Sequence, residues 1–310
     1  MFQKNLIPFC CPLCKSKLLK TENEMVCSNK ECNHSKESYS FKISGGVPIL
    51  ISPDFTDTLF ESDQINSYLP RKSNYLTFIR NKIISRPSKV SEENCKNFIK
   101  EIFSLNENPK ILVIGSGEKG SGTDELWQQN NIIIHGTDVY KTSYVDFISD
   151  SHYLPVEDSY YDGVWIQAVL EHVVEPIKVV DEIYRVMKLG GIVYAETPFM
   201  QQVHEGAYDF TRFTVLGHRY LFKKFELIKL GGNQGPEVVL TWSIRFFFLS
   251  IFRSVLVARI FGFIFSLILA PFKFITSKES LFFGPSGVFF LGKKSEKVIS
   301  HKDLIELYKG

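Results

Sequence analysis

Two carboxylates and a glycine loop carry the most legible chemistry in the 310-residue sequence. The β-branched run Ile111-Leu112-Val113-Ile114 is of the kind buried on both faces of a parallel sheet. It empties into Gly115-Ser116-Gly117-Glu118-Lys119-Gly120, where missing side chains let the backbone turn tightly and approach a ligand. Such a GxGxxG string also serves nicotinamide enzymes and arises by chance, so its neighbours must decide. A second run, Ile132 to Thr137, ends on Asp138. That places a carboxylate at the carboxyl end of a strand, where it can accept from both ribose hydroxyls of a nucleotide. Asp150, in Ser149-Asp150-Ser151-His152-Tyr153-Leu154-Pro155, stands where an acid can accept an adenine amine, a contact that nicotinamide domains do not usually place there. The plain alternative is a turn or helix cap.

The elements that must position these groups follow in order. A helix over 91–105, capped by Ser91 with Glu92 and Glu93 in its first turn, leads into the first strand. A helix over 121–130 follows the glycine loop. Gly163 to Ile166 form the next strand after the Asp150 segment, then Gln167-Ala168-Val169-Leu170-Glu171-His172-Val173 precedes a helix of about fifteen residues with Val179, Val180, Ile183 and Met187 at helical spacing. Gly190-Gly191 ends that helix and Ile192 to Glu196 make a fifth strand. Phe225 to Ile228 and Gly287 to Gly292 read as strands six and seven.

In the glycine loop, Asp138, the Asp150-to-Pro155 segment, Val169-Leu170-Glu171-His172 and Leu189-Gly190-Gly191, the chain resembles the class I S-adenosylmethionine-dependent methyltransferases of the type 11 group. The resemblance covers roughly residues 105 to 232 and the last strand. It implies an α/β, doubly wound, seven-stranded Rossmann-like sheet. By that resemblance Gly115 and Gly117, with Ser116, approach the amino-acid part of S-adenosylmethionine, Asp138 and Val139 the ribose, and Asp150 and Ser151 the adenine. Gln167, Glu171 and His172 line the floor below the methyl group.

All cysteines but Cys95 fall in the opening segment, which is unlike a disulfide framework spread through a secreted fold. Cys11-Pro12-Leu13-Cys14 and Cys27 to Cys32 are two turns whose thiolates can close a tetrahedral zinc site, with Cys10 as a spare and His34 as a substitute for Cys32. A segment so short builds little core, so the metal would supply its folding energy. The segment resembles the small zinc-ribbon modules that accompany some methyltransferases. The expected organisation is a zinc ribbon over 1–52, a polar linker with short helices over 53–90, and the methyltransferase domain over 91–310. Cys95 is expected in the core.

The acceptor chemistry is sought after strand five, in Glu196 to Phe199 and His204 to Thr214. His204 can take a proton from an acceptor hydroxyl while Asp209 orients it, and Arg212 can hold an anion such as phosphate. The competing reading pairs Asp209 with Arg212 structurally. The pattern of His, Tyr-Asp-Phe, Arg and Thr resembles that of bacterial methyltransferases found with polysaccharide assembly, which implies a lipid-linked saccharide or related lipid as acceptor.

Between Glu237 and Glu279 lies a Phe- and Leu-rich stretch whose charges, Arg245, Arg253, Arg259, Lys273 and Lys278, are all positive. The uncharged run from Ile260 to Phe272 reads as too short for a spanning helix, which needs roughly 20 apolar residues. Apolar helices with cations alone suit an anionic membrane surface, here through residues 242–276. A helical pair packed on the sheet and a homodimer interface are the alternatives. The stretch is therefore a hydrophobic helical insertion, 237–279, before the last strand.

A formal charge of +2 and a pI near 8.1 are too mild to argue for nucleic acid, which weighs against a ribosomal RNA guanine methyltransferase, the nearest rival enzyme. A non-catalytic binding module and a nicotinamide dehydrogenase are further rivals, and Asp138 with Asp150 weighs against them. With no secretory leader read in the opening residues, the expected location is cytoplasmic, peripheral on the inner face of the membrane.

Overall fold

In a computed structural model, residues 7–52, 88–277 and 279–309 are described. The expected linker with short helices, 53–90, lies almost wholly outside them. The chain divides into two compact units: Met1–Gln167 with Glu175–Val193, and Ala168–Val174 with Tyr194–Gly310.

The first unit opens with four short strands, β1 (Leu18–Lys20), β2 (Glu24–Cys27), β3 (Ser40–Ser44) and β4 (Val47–Pro48), paired antiparallel in that order. It continues with β5 (Lys110–Ile114), β6 (Ile133–Asp138), β7 (Phe147–Ile148) and β8 (Tyr161–Gln167). β5 runs parallel to both β6 and β8, with Ile111 opposite Ile134 on one side and Gly163 on the other, and β6 runs parallel to β7. Adding β9 (Met187–Pro198), β10 (Phe225–Gly232) and β11 (Gly287–Lys294) gives a seven-stranded sheet of order β10-β11-β9-β8-β5-β6-β7. β10 and β11 are antiparallel, so the sheet is mixed. The expected α/β seven-stranded fold is thus present.

The apolar runs do what their composition dictates. Ile111, Leu112, Val164 and Trp165 are buried, and Trp165 meets Phe98 edge-on at 5.3 Å. Helix Pro176–Val186 buries Val179, Val180, Ile183 and Val186, each worth about 1.5–3 kcal/mol of transfer free energy. Cys95 is in the core, as expected.

Several boundaries differ from the sequence reading. The first helix is Lys89–Phe103, capped by the Ser88 hydroxyl, which accepts from the Val90 amide at 3.2 Å, and Ser91 is buried inside it. The helix expected over 121–130 shrinks to Asp124–Trp127. There the Thr123 hydroxyl donates to the Gly120 carbonyl at 2.8 Å and closes a turn that delays the helix. Helix Pro176–Val186 has 11 residues, and Met187 is already extended, opening β9. Gly190-Gly191 therefore lies inside a strand instead of ending a helix; Gly190 has φ 81, a bend that β9 absorbs.

The cysteine-bearing segment is attached to the rest of the first unit at two places, one a loop and one the edge strand β7. Phe9 bridges Val156 and the Cys10 amide donates to the Pro155 carbonyl at 3.0 Å. Ile49 bridges Ile148 in parallel, and the Leu50 amide donates to the Ile148 carbonyl at 2.8 Å. Ile51, Val145 and Ile148 make a small apolar cluster under this second attachment, with Val47 and Ile49 packed on it.

Within the second unit the insertion is helical, as expected: Pro236–Phe252 and Val255–Leu269, joined through Arg253, whose φ of 48 makes a left-handed cap. Phe248 stacks on Phe261 at 3.7 Å between centroids. The expectation that this stretch is too short to cross a bilayer is corrected. Val255–Phe272 forms 18 residues of mean hydropathy 2.3, only 11% buried, which is long and apolar enough by length and composition. The run lengthens because the helix starts before Arg259, whereas the sequence reading counted from that charge.

Candidate active site and cysteine cluster

The residues expected to meet the cofactor occupy the carboxyl ends of β5, β6 and β7. Gly115 turns the chain with φ 75, and its amide donates to the Thr137 carbonyl at 2.9 Å. The Asp138 carboxylate is already organised by the loop: it accepts from the Gly117 amide at 2.7 Å and from the Val139 amide at 2.7 Å. A Cβ at Gly117 would lie 2.2 Å from the Tyr140 hydroxyl, and one at Gly120 would lie 2.2 Å from Gln167 Oε1. Gln167 donates through Nε2 to the Ser121 carbonyl at 3.1 Å, while its buried Oε1 has no hydrogen-bond partner among the described residues. A cradle that a single methyl would fill, with an orphaned acceptor on its wall and an acid at the strand end, fits an adenosine-bearing cofactor.

Four of the expected cofactor residues behave otherwise. Ser116 is fully buried and its hydroxyl donates toward the Thr137 and Tyr144 carbonyls, so it fixes the turn from inside. Asp150 caps the short helical turn Ser151–Tyr153: its Oδ1 accepts from the His152 amide at 2.9 Å and from His152 Nδ1 at 2.6 Å. The cap alternative is therefore realised, and it holds the carboxylate in place. His172 and Glu171 belong to a different group, described next. Tyr140, against Gly117, was not singled out from the sequence; aromatics after a strand-end acid carry no spacing signal.

In the second unit, Ala168 adopts φ 55, an uncommon conformation for a side-chain-bearing residue, and turns the chain into the short helical turn Leu170–His172. The segment after β9 is laced to it: the Phe210 amide donates to the Glu171 carbonyl at 2.8 Å, and the Thr211 hydroxyl to the Leu170 carbonyl at 3.3 Å. That lacing brings together Glu171, His172 and His204. Glu171 Oε1 lies 3.6 Å from His172 Nε2 and 3.8 Å from His204 Nε2, and the two imidazoles meet edge-on at 4.8 Å. Glu171 is fully buried, and burial pushes its carboxyl up to about 8. Burial, then the neighbouring His172, hold His204 below the usual imidazole range.

Asp209 supports His204 from behind, accepting from the His204 amide at 2.8 Å with Oδ2 also 3.3 Å from the ring Nδ1, off the hydrogen-bonding line. Arg212 grips Asp209 through both guanidinium nitrogens, one of them at 2.5 Å, and holds its carboxyl down at about 2. Arg212 also donates to the Thr211 and Gln201 carbonyls at 2.8 and 3.4 Å. Its expected role as an anion holder gives way to the structural ion pair, because its donors are engaged within the chain.

The four expected metal ligands converge. The sulfurs of Cys11, Cys14, Cys27 and Cys32 all lie within 4.8 Å of one another, with Cys11 to Cys32 at 3.9 Å and Cys14 to Cys27 at 3.5 Å. Thiolates about 2.3 Å from a shared zinc ion in tetrahedral array stand about 3.8 Å apart, so the cluster has the right size. Neither alternative ligand is needed. Cys10 lies outside the group, and His34 sits behind it, Nδ1 3.2 Å from Cys11 Sγ and Nε2 2.7 Å from the Ser52 hydroxyl.

Residues 112–195 match the methyltransferase domain family, across the strand-end acid, the Asp150 segment and the Glu171 turn. The chain carries a methyltransferase domain over this stretch. Among solved structures the methyltransferase is similar to a putative sarcosine dimethylglycine methyltransferase from Galdieria sulphuraria, at 16% identity over 67% of this chain and 86% of that one, with a TM-score of 0.43. It is also similar to a complex between the Haloferax volcanii Trm112 methyltransferase activator and a putative methyltransferase, at 15% identity, 73% and 97% coverage and a TM-score of 0.45. A third likeness is to an Archaeoglobus fulgidus SAM-dependent methyltransferase, at 16% identity, 71% and 100% coverage and a TM-score of 0.44. No curated protein matches the chain. The assignment rests on the matched domain and the residues that line it.

Proposed function

We propose that the methyltransferase acts on an oxygen of a lipid-linked saccharide or related lipid acceptor at the inner face of a membrane. The observation that carries this reading is the helical pair Pro236–Phe252 and Val255–Leu269. It exposes Phe247, Leu256, Phe263 and Leu267 to solvent, and from Val238 to Lys278 its charges are Arg245, Arg253, Arg259, Lys273 and Lys278 alone. An anionic bilayer rewards both features, through apolar burial and through about 1 kcal/mol per nearby cation.

Bound S-adenosylmethionine supplies a methyl group on a positively charged sulfur. Gly115, Gly117, Asp138, Val139, Asp150, Ser151 and Gln167 would hold it. His204 takes the proton of the acceptor hydroxyl on Nε2, Asp209 orients the ring from behind, and Arg212 fixes Asp209. Such transfer needs little beyond alignment and a proton acceptor. Cys11, Cys14, Cys27 and Cys32 would hold a structural zinc ion. Four thiolates close its coordination, so the ion contributes folding energy and no catalysis.

Mass spectrometry of lipid-linked glycans from cells with and without the gene tests the acceptor class. Loss of one methyl from a lipid-linked species supports it. An unchanged lipid-linked pool, with a methyl lost from a water-soluble metabolite, removes it.

A further inference from the structure

We propose that Glu171, His172 and His204 form a binding site for one divalent metal ion, held by Glu171 Oε1 and the Nε2 atoms of the two imidazoles. This site is separate from the cysteine cluster and lies wholly within the second compact unit.

The ligand atoms already face one another. The 3.6 and 3.8 Å separations from Glu171 Oε1 are too long for hydrogen bonds. Ligands about 2.1 Å from a common ion in tetrahedral array stand about 3.4 Å apart, so both separations from Glu171 Oε1 come within a few tenths of an ångström of that array.

Glu171 is the second observation. It is fully buried, and neither of its carboxylate oxygens has a hydrogen-bond partner among the described residues. A buried carboxyl with no hydrogen-bond partner costs free energy, and a cation held between it and the two imidazoles would answer it. Arg212 acts on it only through space, since the hydrogen bonds of that guanidinium go to Asp209 and to two backbone carbonyls.

The imidazoles supply the third. His172 Nδ1 lies 2.6 Å from the Tyr208 carbonyl. A carbonyl only accepts, so Nδ1 carries a proton and Nε2 is the ring nitrogen left to face Glu171. Behind His204, Asp209 Oδ2 lies 3.3 Å from Nδ1, off the hydrogen-bonding line. A carbonyl and a carboxylate behind the two rings are the supports that metal-ligating histidines use.

Two imidazoles and one carboxylate suit first-row divalent ions such as Mn2+, Fe2+, Co2+ or Zn2+, and three ligands leave coordination positions for water or an acceptor oxygen. Resting on the reading above, the ion would polarise the acceptor hydroxyl and lower its pKa so that its proton passes to solvent water, and His204, whose lone pair it takes, would serve as ligand in place of base. Binding of the ion itself does not depend on which acceptor is used.

The test uses the full chain loaded with zinc, which the soft thiolates retain, and titrates Mn2+ and Co2+ in separate experiments without cofactor or acceptor. Calorimetry and the loss of free Mn2+ paramagnetic signal read the binding. One further ion per chain is expected, weakened about tenfold or more by Glu171→Gln and by His204→Ala and less by Asp209→Asn, with S-adenosylmethionine affinity and melting temperature kept in each variant. Failure of both ions to bind the folded wild-type chain overturns the site, as does binding that survives Glu171→Gln and His204→Ala unchanged. Retained ion binding without methylation of any lipid-linked acceptor supports the site and counts against the acceptor reading alone.

Discussion

The Gly117 amide donates to Asp138 Oδ2 at 2.7 Å, so the glycine loop and the strand-end acid are one construction. The carboxylate we propose for the ribose also fixes the loop we propose for the rest of the cofactor. Asp138→Asn removes the charge from both tasks. A hydrogen bond to a charged group contributes about 1.5–3 kcal/mol, which corresponds to a loss of roughly 10- to 100-fold in S-adenosylmethionine affinity. Calorimetry on the zinc-loaded protein reads it, and an unchanged dissociation constant would remove Asp138 from the cofactor site.

Removing metal from the cysteine cluster should weaken cofactor binding at a distance. The cysteine-bearing segment holds the chain on both sides of Asp150, through the Leu50 amide on Ile148 and the Cys10 amide on Pro155. Lys15 adds an ion pair to Glu182 at 2.9 Å. With the thiolates unligated, the segment loses its folding energy and the Asp150 turn loses both anchors. Chelation, or Cys14→Ser, is expected to lower the melting temperature by several degrees and to raise the S-adenosylmethionine dissociation constant several-fold. Cofactor affinity that stays constant while the melt falls would show the two sites to be uncoupled.

The sheet was legible because its parts are announced locally. Ile111 to Ile114 before a glycine turn, Ile132 to Thr137 before Asp138, and two closely spaced cysteine pairs each carry their meaning within a few residues. What was missed is what sequence neighbours cannot encode. Glu171 and His172 read as floor residues of the cofactor site and His204 as the lone base, yet the lacing of Phe210 and Thr211 onto Leu170 and Glu171 unites the three. The support behind His172 is the Tyr208 main-chain carbonyl, a group that every residue type offers. The helix ends went astray for a related reason: Thr123 spends its hydroxyl on Gly120, and Met187 is recruited into β9 despite its helical spacing.

His218 makes stability depend on pH. It is buried beside Phe213 and Phe222 with Nε2 unpaired among the described residues, and burial depresses its imidazole to about 3. The unfolded chain, with an ordinary imidazole, binds more protons than the folded one between that value and about 6.5. Stability contributed by keeping the ring neutral is therefore complete above that pH and is lost progressively as pH falls toward 3. Urea midpoints measured from pH 7.5 down to 5.5 should carry this loss as a downward contribution to the slope, set against the opposite contribution of Glu171, whose carboxyl is held at about 8. His218→Phe, which suits the aromatic surroundings, should remove that downward contribution, and an unaltered slope would assign the proton uptake elsewhere.

The helical pair should deliver the protein to anionic bilayers independently of its cofactor. Phe247 and Leu256 are 61% and 68% exposed, on faces not used by the Phe248–Phe261 stack. Replacing both by Glu puts two negative charges where apolar burial and cationic attraction are expected to act, while sparing the contact between the helices. Each large apolar side chain fully buried is worth about 1.5–3 kcal/mol, so the double variant should lose well over tenfold in affinity for vesicles containing phosphatidylserine or phosphatidylglycerol. Flotation of the full chain with such vesicles, repeated at high salt, separates the two contributions, because screening weakens the cationic part and leaves the apolar part. Wild-type protein that fails to float with any anionic vesicle, while remaining folded and competent for S-adenosylmethionine, would turn the same faces into a surface for a second protein chain.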